Sequence, residues 1–147
     1  MGQGIDGSRN LILRRFREEK RSILFGTDSF WEGVDVPGSA LEIVVIIKLP
    51  FAVPSEPIVQ AQMEEIERSG GRPFVEFSVP EAAIKLRQGA GRLIRHRNDR
   101  GIVIVFDTRI VSSWYGNTFR RCLPGKLVKS ENVEKLVENL KFWFKDE

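Results

Sequence analysis

Residues 41–49, with the sequence LEIVVIIKL, decide the fold of this chain together with a second run at residues 101–106, GIVIVF. Both runs are almost continuously apolar and rich in β-branched side chains, which is typical of strands covered on both faces in a parallel sheet. Helical patterns separate the two runs along the chain. The sequence therefore predicts an α/β fold, an open and mostly parallel sheet with helices on both of its faces.

Further elements are predicted on either side of these strands. Short strands are expected at residues 22–27 and near Leu127 and Val128. Helices are expected over residues 8–20, 58–68, 80–95, 109–123 and 130–145. Proline at position 80 suits the first turn of its helix, since the ring fixes a helical φ and the missing N–H is not needed there. Three prolines exclude regular structure from residues 49–57.

The composition is that of a soluble globular protein forming one domain over residues 1–147, and 41% of its residues are hydrophobic. The formal net charge of +3 permits an anionic partner without requiring nucleic acid. A single cysteine, Cys122, and a single histidine, His96, argue against a disulfide or a cysteine-based metal site. The longest apolar run, residues 43–47, is too short to cross a bilayer. We therefore expect a cytoplasmic protein with no membrane partner.

The run at residues 88–95, QGAGRLIR, carries the chemistry expected of the chain. On a helix turning about 100° per residue, Gln88, Arg92 and Arg95 share one face. The small residues between them allow the backbone to lie close to a neighbouring element. Arginine presents a planar fork of donors that matches phosphate oxygens, so this face suits a polyphosphate. The alternative is a solvated basic helix face.

Polar residues also follow the predicted strands, where open α/β sheets bind their ligands. They lie at residues 27–35, 51–57 and 107–109. Two alternatives stay open at these positions. Asp35 either contacts a nucleotide or caps a helix, and Arg109 either binds nucleic acid or pairs with Asp107. The aromatic residues are either base-stacking platforms or core residues: Trp31, Phe51 and Phe77.

Two long motifs give the chain a family resemblance. Residues 26–38, GTDSFWEGVDVPG, look like helicase motif V, and residues 88–109, QGAGRLIRHRNDRGIVIVFDTR, look like motif VI with its following strand. Residues 49–57, LPFAVPSEP, stand between them. Together they resemble the second motor lobe of superfamily two DNA helicases, in the branch of the DinG and XPD helicases. The resemblance covers about residues 22–124 and implies an incomplete RecA-like lobe.

The resemblance also implies roles for individual residues. Arg92 and Arg95 would reach the γ-phosphate of ATP as arginine fingers, with Gln88 supporting that contact. The nucleotide would also be contacted by Asp35, Gly33 and Glu32. The backbone of single-stranded DNA would be contacted by Thr27, Ser29 and Arg109.

Parts of a complete motor are absent from the sequence. It contains no G-x-x-x-x-G-K-[ST] loop and no acidic Mg²⁺-binding motif after a strand. We therefore expect ATP and Mg²⁺ to be bound mainly by a first motor lobe of the same parent chain. An iron-sulfur cluster, in family members that have one, belongs to that lobe and not to this chain. The chain is expected to be the carboxyl-terminal part of a longer helicase, inactive by itself.

Two other function classes compete with the motor lobe. One is a basic nucleic-acid-binding module without catalysis, which would have no need of paired arginines beside a glycine-rich helix. The other is a small nucleotide-dependent enzyme complete in itself, and the missing phosphate-binding loop argues against it.

Overall fold

The architecture is given by a computed structural model that describes residues 1–2, 5–19, 21–27, 41–93 and 100–145. Two strands and six α-helices are described in these ranges, together with one π-helical segment. In chain order they are α1 (Arg9–Glu18), β1 (Ile43–Ile46), α2 (Pro57–Arg68), the π-helical segment (Phe74–Ser78), α3 (Val79–Ala90), β2 (Ile102–Val105), α4 (Arg109–Ser112), α5 (Gly116–Cys122) and α6 (Val133–Lys145).

The two strands pair in parallel, as their apolar runs predict. Ile43 lies opposite Ile102, and the register runs without a break to Ile46 opposite Val105. Hydrogen bonds extend the pairing at both ends, with Ile102 N–H donating to the Glu42 carbonyl at 2.9 Å. Helices α2 and α3 lie in the connection, so β1 and β2 form a parallel crossover unit.

The main core lies on one face of this sheet. Val44 and Val103 are neighbours in the register and face the core with Ile46 and Val105, because alternate residues of a strand point to the same side. The helices α3, α4 and α5 supply the opposing apolar side chains. The fully or nearly fully buried members of this core are Ile46, Leu49, Val79, Ala82, Ala83, Leu86, Ile110 and Phe119.

The opposite face of the sheet is more open than the sequence predicts. Val45 and Ile47 are exposed, although both belong to the run expected to be covered on both sides. The expectation of complete burial is therefore wrong at these two positions. A run of β-branched residues indicates a preference for extended backbone. It does not indicate which face of the sheet a helix covers. A smaller cluster packs Leu13 and Phe16 of α1 against Leu24 and Leu41.

Two predicted short strands do not form. Residues 126–130 have no regular structure, and Phe25 makes only an isolated parallel bridge with Gly2. Ile23 and Phe25 are exposed rather than buried. A strand needs a neighbouring strand to take its hydrogen bonds. Within the described ranges the sheet consists of β1 and β2, and neither strand pairs with residues 22–27 or 126–130.

Helical structure around Pro80 begins earlier than the sequence predicts. The π-helical segment starts at Phe74, and its winding passes directly into α3. Val79 N–H donates to the Phe74 carbonyl, five residues back. Pro80 has no N–H to offer the carbonyl four residues before it, and such a lost bond favours wider winding.

The predicted helix over residues 109–123 is broken in two. Ser113 is extended and ends α4, and α5 then starts at Gly116. A Cβ at Gly116 would overlap the carbonyl oxygen of Ile110, so only glycine allows the two short helices to approach so closely. Arg120 donates from Nη1 to the same Ile110 carbonyl at 2.9 Å, which satisfies an acceptor left open at the end of α4.

Candidate functional site

Asp107 joins the carboxyl ends of the two strands. Its Oδ2 accepts a hydrogen bond of 2.8 Å from the backbone N–H of Leu49, which follows β1. Its side chain is only 7% exposed. The link places residues 49–51 beside residues 107–109, and so confirms that the polar segments after β1 and β2 lie together.

Arg109 contacts Asp107 on the solvent-exposed side of this junction. Its Nη2 lies 2.6 Å from Asp107 Oδ2 and its Nε 2.9 Å from Asp107 Oδ1, a bidentate ion pair. The guanidinium carbon also lies 5.2 Å from the centre of the Phe51 ring. The ion-pair alternative for Arg109 is thus confirmed. Its side chain is still 46% exposed, so contact with a nucleic-acid phosphate stays a prediction.

The ion pair changes the titration of the carboxylate. Hydrogen bonds from the Arg109 side chain lower the pKa of Asp107 from 3.8 to about 2, and the backbone N–H groups of Leu49 and Arg109 act in the same direction. Burial of the carboxyl opposes this change. Asp107 is therefore charged at any physiological pH, and its charge is part of the folded structure.

Acid should weaken the fold through this group. Because folding lowers its pKa, Asp107 stabilises the folded state fully above about pH 4 and loses that contribution as the pH falls towards 2. The loss should reach about 2 kcal/mol at most, reduced by solvent screening of the half-exposed Arg109. Urea unfolding measured from pH 5 to 2 should show a flatter profile for Asp107→Asn. Glu131→Gln, at an exposed carboxylate, should keep the wild-type slope, and equal slopes in all three proteins would contradict the assignment.

The candidate phosphate-binding residues lie at the end of α3. Gly89 and Ala90 are buried, Gln88 is exposed and Arg92 is partly exposed. Burial of Gly89 and Ala90 agrees with the predicted close backbone approach, whereas Gly91, the third small residue of the run, is exposed. The helix itself ends at Ala90, so the prediction of a continuous helix through Arg95 is wrong at residues 91–93.

The chain tightens after the end of α3. Arg92 N–H donates to the Gly89 carbonyl at 3.2 Å and Leu93 N–H to the Ala90 carbonyl at 3.1 Å, both bonds spanning three residues. Winding of this kind turns more per residue than an α-helix. The prediction that Gln88 and Arg92 share one helical face assumed 3.6 residues per turn. The tighter winding after Ala90 does not keep that period, so the predicted face is not formed as expected.

The structure separates the two candidate clusters. Leu93 packs against Gly101, where a Cβ would overlap its side chain, and Gly101 directly precedes β2. Asp107 and Arg109 follow the other end of β2. Six residues of extended chain span roughly 20 Å at about 3.3 Å per residue. Arg92 and Arg109 thus lie towards opposite ends of one strand.

Several predicted site residues fall outside the described ranges: Ser29, Glu32, Gly33, Asp35 and Arg95. Their roles stay predictions, as does that of Trp31. Thr27 is described and exposed, two residues after the bridge formed by Phe25.

An aromatic cluster at the Arg109 end was missed by sequence reasoning. Phe51 stacks on Phe74 with ring centres 5.8 Å apart and meets Phe119 edge-on at 5.6 Å. Tyr115 lies 5.2 Å from Phe74 and 5.3 Å from Trp114. The core alternative for Phe51 is thereby confirmed. The members come from three separate segments, so no local period could reveal the cluster.

The described residues offer neither a metal site nor a membrane span. No group of histidine, cysteine, aspartate and glutamate side chains within those ranges could hold a metal ion. No helix there is both long and apolar enough to span a membrane.

Comparison with known proteins identifies the family. The model of the helicase C-terminal domain matches residues 2–126. The ATP-dependent DNA helicase YoaA of Haemophilus influenzae is 46% identical over 133 residues, 90% of this chain and 21% of the relative. The ATP-dependent DNA helicase DinG of Photobacterium profundum is 46% identical over 121 residues, 80% of this chain and 18% of the relative.

A third relative carries a different name. The 3'-5' exonuclease DinG of Bacillus subtilis is 42% identical over 139 residues, 94% of this chain and 15% of the relative. The chain thus spans only 15% to 21% of the length of these three relatives. With its parallel α/β sheet, and with the motifs of residues 26–38 and 88–109 inside the matched region, the chain belongs to the helicase C-terminal domain family, an incomplete RecA-like lobe of the DinG type.

Proposed function

We propose that this chain is the second motor lobe of an ATP-dependent DNA helicase, supplying arginine fingers to ATP and part of the track for single-stranded DNA. One observation carries the proposal. The family match over residues 2–126 includes the sequence of residues 88–95, which begins in the last turn of helix α3. DNA repair is the process in which we place the helicase, and the cytoplasm is the compartment.

The residues at the end of α3 suit phosphate oxygens. Gln88 offers an exposed amide and Arg92 a partly exposed guanidinium, both donors. Buried Gly89 and Ala90 fix the backbone that carries them. Arg92 and Arg95 would stabilise the charge that develops on the γ-phosphate, and Asp35 with Gly33 and Glu32 would contact the nucleotide. ATP, when bound, supplies the phosphoryl bond whose hydrolysis drives movement.

The remaining nucleotide contacts are assigned to another lobe. The described residues contain no cluster fit for a metal ion, and the whole sequence contains no phosphate-binding loop. Mg²⁺ and most of the triphosphate would therefore be held by the first motor lobe of the same protein. An iron-sulfur cluster, where the helicase has one, would also belong there.

The DNA track is proposed to include Arg109, which follows the end of β2. Thr27, Ser29 and Arg109 would contact the phosphate backbone. For Arg109 the support is its position, since Asp107 and Phe51 hold the guanidinium in place while nearly half of the side chain faces solvent. A cation fixed in this way loses little further freedom on binding a phosphate.

A non-catalytic basic nucleic-acid-binding module is the second candidate. It is favoured by the concentration of positive charge at residues 107–130, which hold five arginines and lysines and a single acidic residue, Asp107. The two candidates differ over Arg92 and Arg95. These side chains would matter for ATP hydrolysis in a motor lobe and only for salt-dependent affinity in a binding module.

The isolated 147-residue chain is expected to hydrolyse no ATP, because in-line phosphoryl transfer needs a phosphate cradle and a positioned Mg²⁺. Release of phosphate should be measured with and without single-stranded DNA, beside the intact helicase as a positive control. Turnover by the purified chain that disappears in its Arg92→Ala variant would exclude contamination and contradict the two-lobe assignment.

A further inference from the structure

Trp114 is unusually exposed for its size. Its side chain is 72% accessible, although a large aromatic ring normally gains by burial. Phe74, the neighbour of its ring, is 40% accessible. The two rings form one exposed aromatic surface, here named the aromatic shelf.

Other aromatic side chains of the protein contact the two rings of the aromatic shelf. The ring centres of Trp114 and Phe74 lie 6.3 Å apart, at 66° to each other. Tyr115 meets both rings edge-on, and Phe51 stacks on the opposite side of the cluster against Phe74. Fully buried Phe119 anchors Tyr115 and Phe51 to the core. The exposed rings therefore lie on an aromatic cluster that is joined to the core through Phe119.

The segment that carries Trp114 is rich in cations. Residues 107–130 hold five arginines and lysines against one aspartate, Asp107, and their net charge of +4 exceeds the formal net charge of +3 of the whole chain. Arg120 donates hydrogen bonds to the neutral oxygens of Ile110 and Asn117. Arg121, Lys126 and Lys129 are exposed. A polyanion that also has flat apolar faces complements such a surface.

We infer that the aromatic shelf of Trp114 and Phe74 stacks bases of single-stranded nucleic acid, while the cations of residues 107–130 hold its phosphates. The inference rests on the proposed function and adds base-stacking residues to its DNA track. Base stacking on an aromatic ring tolerates any sequence, since every base has a flat face.

The test compares ordinary and abasic oligonucleotides. Binding of the chain to a fluorescent thymidine oligomer and to an abasic phosphodiester of equal length should be followed by anisotropy over a range of salt concentrations. Trp114→Ala should weaken binding of the thymidine oligomer about 10-fold and leave the abasic oligomer unaffected. The salt dependence should not change, because no charge is removed. Trp114→Phe, which keeps a flat ring, should restore most of the affinity.

Matched controls separate stacking from general effects. Phe142→Ala removes an equally exposed aromatic side chain from α6, 70% accessible, and should change neither affinity. Arg121→Ala should weaken both oligomers alike and lower the salt slope by about one. Circular dichroism of each variant should match the wild type.

The outcomes are distinguishable. Wild-type affinity in Trp114→Ala, or an equal loss on both oligomers, would overturn the shelf while leaving the motor-lobe proposal intact. The same holds if Trp114→Ala weakens only association with the first motor lobe, which would make the surface a protein interface. Absence of any salt-dependent binding by the wild type would remove the whole DNA track. The ATPase of the intact helicase tests the arginine fingers separately.

Discussion

Replacing Arg95 by alanine in the intact helicase is expected to lower the DNA-stimulated rate of ATP hydrolysis by about 10³-fold or more, the contribution typical of an arginine finger. Nucleotide affinity should change far less, because the first lobe would supply most phosphate contacts. Arg92→Ala should behave similarly with a modest loss of affinity. Lysine at either position should rescue poorly, since a point charge cannot reproduce the bidentate fork.

Arg87 provides the matched control for these changes. It is an exposed arginine on α3, adjacent to Gln88, and the resemblance gives it no role. Arg87→Ala should keep both turnover and affinity within about twofold, as expected for a surface substitution. Steady-state hydrolysis and equilibrium binding of a fluorescent ATP analogue would be measured for each variant. Near-normal turnover in both Arg92→Ala and Arg95→Ala would restore the solvated-face alternative.

Phe119→Ala is expected to destabilise the chain by about 3–5 kcal/mol, because it removes a large buried ring and leaves a cavity. Phe119 is fully buried and contacts Phe51 and Tyr115 at the base of the aromatic cluster. The expected loss is a large part of the roughly 5–15 kcal/mol that stabilises an ordinary domain. Urea unfolding at pH 7, followed by far-ultraviolet circular dichroism, would measure it.

Phe142→Ala serves as the control for the stability measurement. It makes the same chemical change at a side chain that is 70% exposed, so its unfolding midpoint should stay close to that of the wild type. A Phe119→Ala protein as stable as Phe142→Ala would contradict the central place of Phe119 in the core. Phe119→Leu, which retains most of the volume, should fall between the two.

The two candidate sites lie towards opposite ends of β2, and this arrangement is relevant to the mechanism of the proposed motor. The candidate phosphate residue Arg92 lies beside the start of this strand through Leu93 and Gly101, and the candidate DNA residue Arg109 follows its end. Helix α3 packs on the same core as β2. If both proposed sites are correct, β2 and helix α3 would connect the nucleotide site with the DNA site.

The parallel α/β fold was determined by local sequence. The β-branched runs at residues 41–49 and 101–106 predict strands from local sequence alone, and each run contains one strand in the structure. Helix α2 was predicted over residues 58–68 and begins one residue earlier, at Pro57, because proline suits the first turn of a helix. Gly70, with φ of 79°, follows its end as predicted. The paired motifs further identified the family, because two long motifs at fixed spacing rarely coincide by chance.

Only the tertiary structure decided how the ends of the elements meet. Asp107 forms its hydrogen bond with Leu49 across 58 positions of sequence, and the aromatic cluster joins three distant segments. The break at Gly116 depends on the approach of Ile110, and α3 ends at Ala90 although the pattern continues. A residue's propensity is a local property, whereas burial, pairing and close approach are set by neighbours that the fold alone brings into contact.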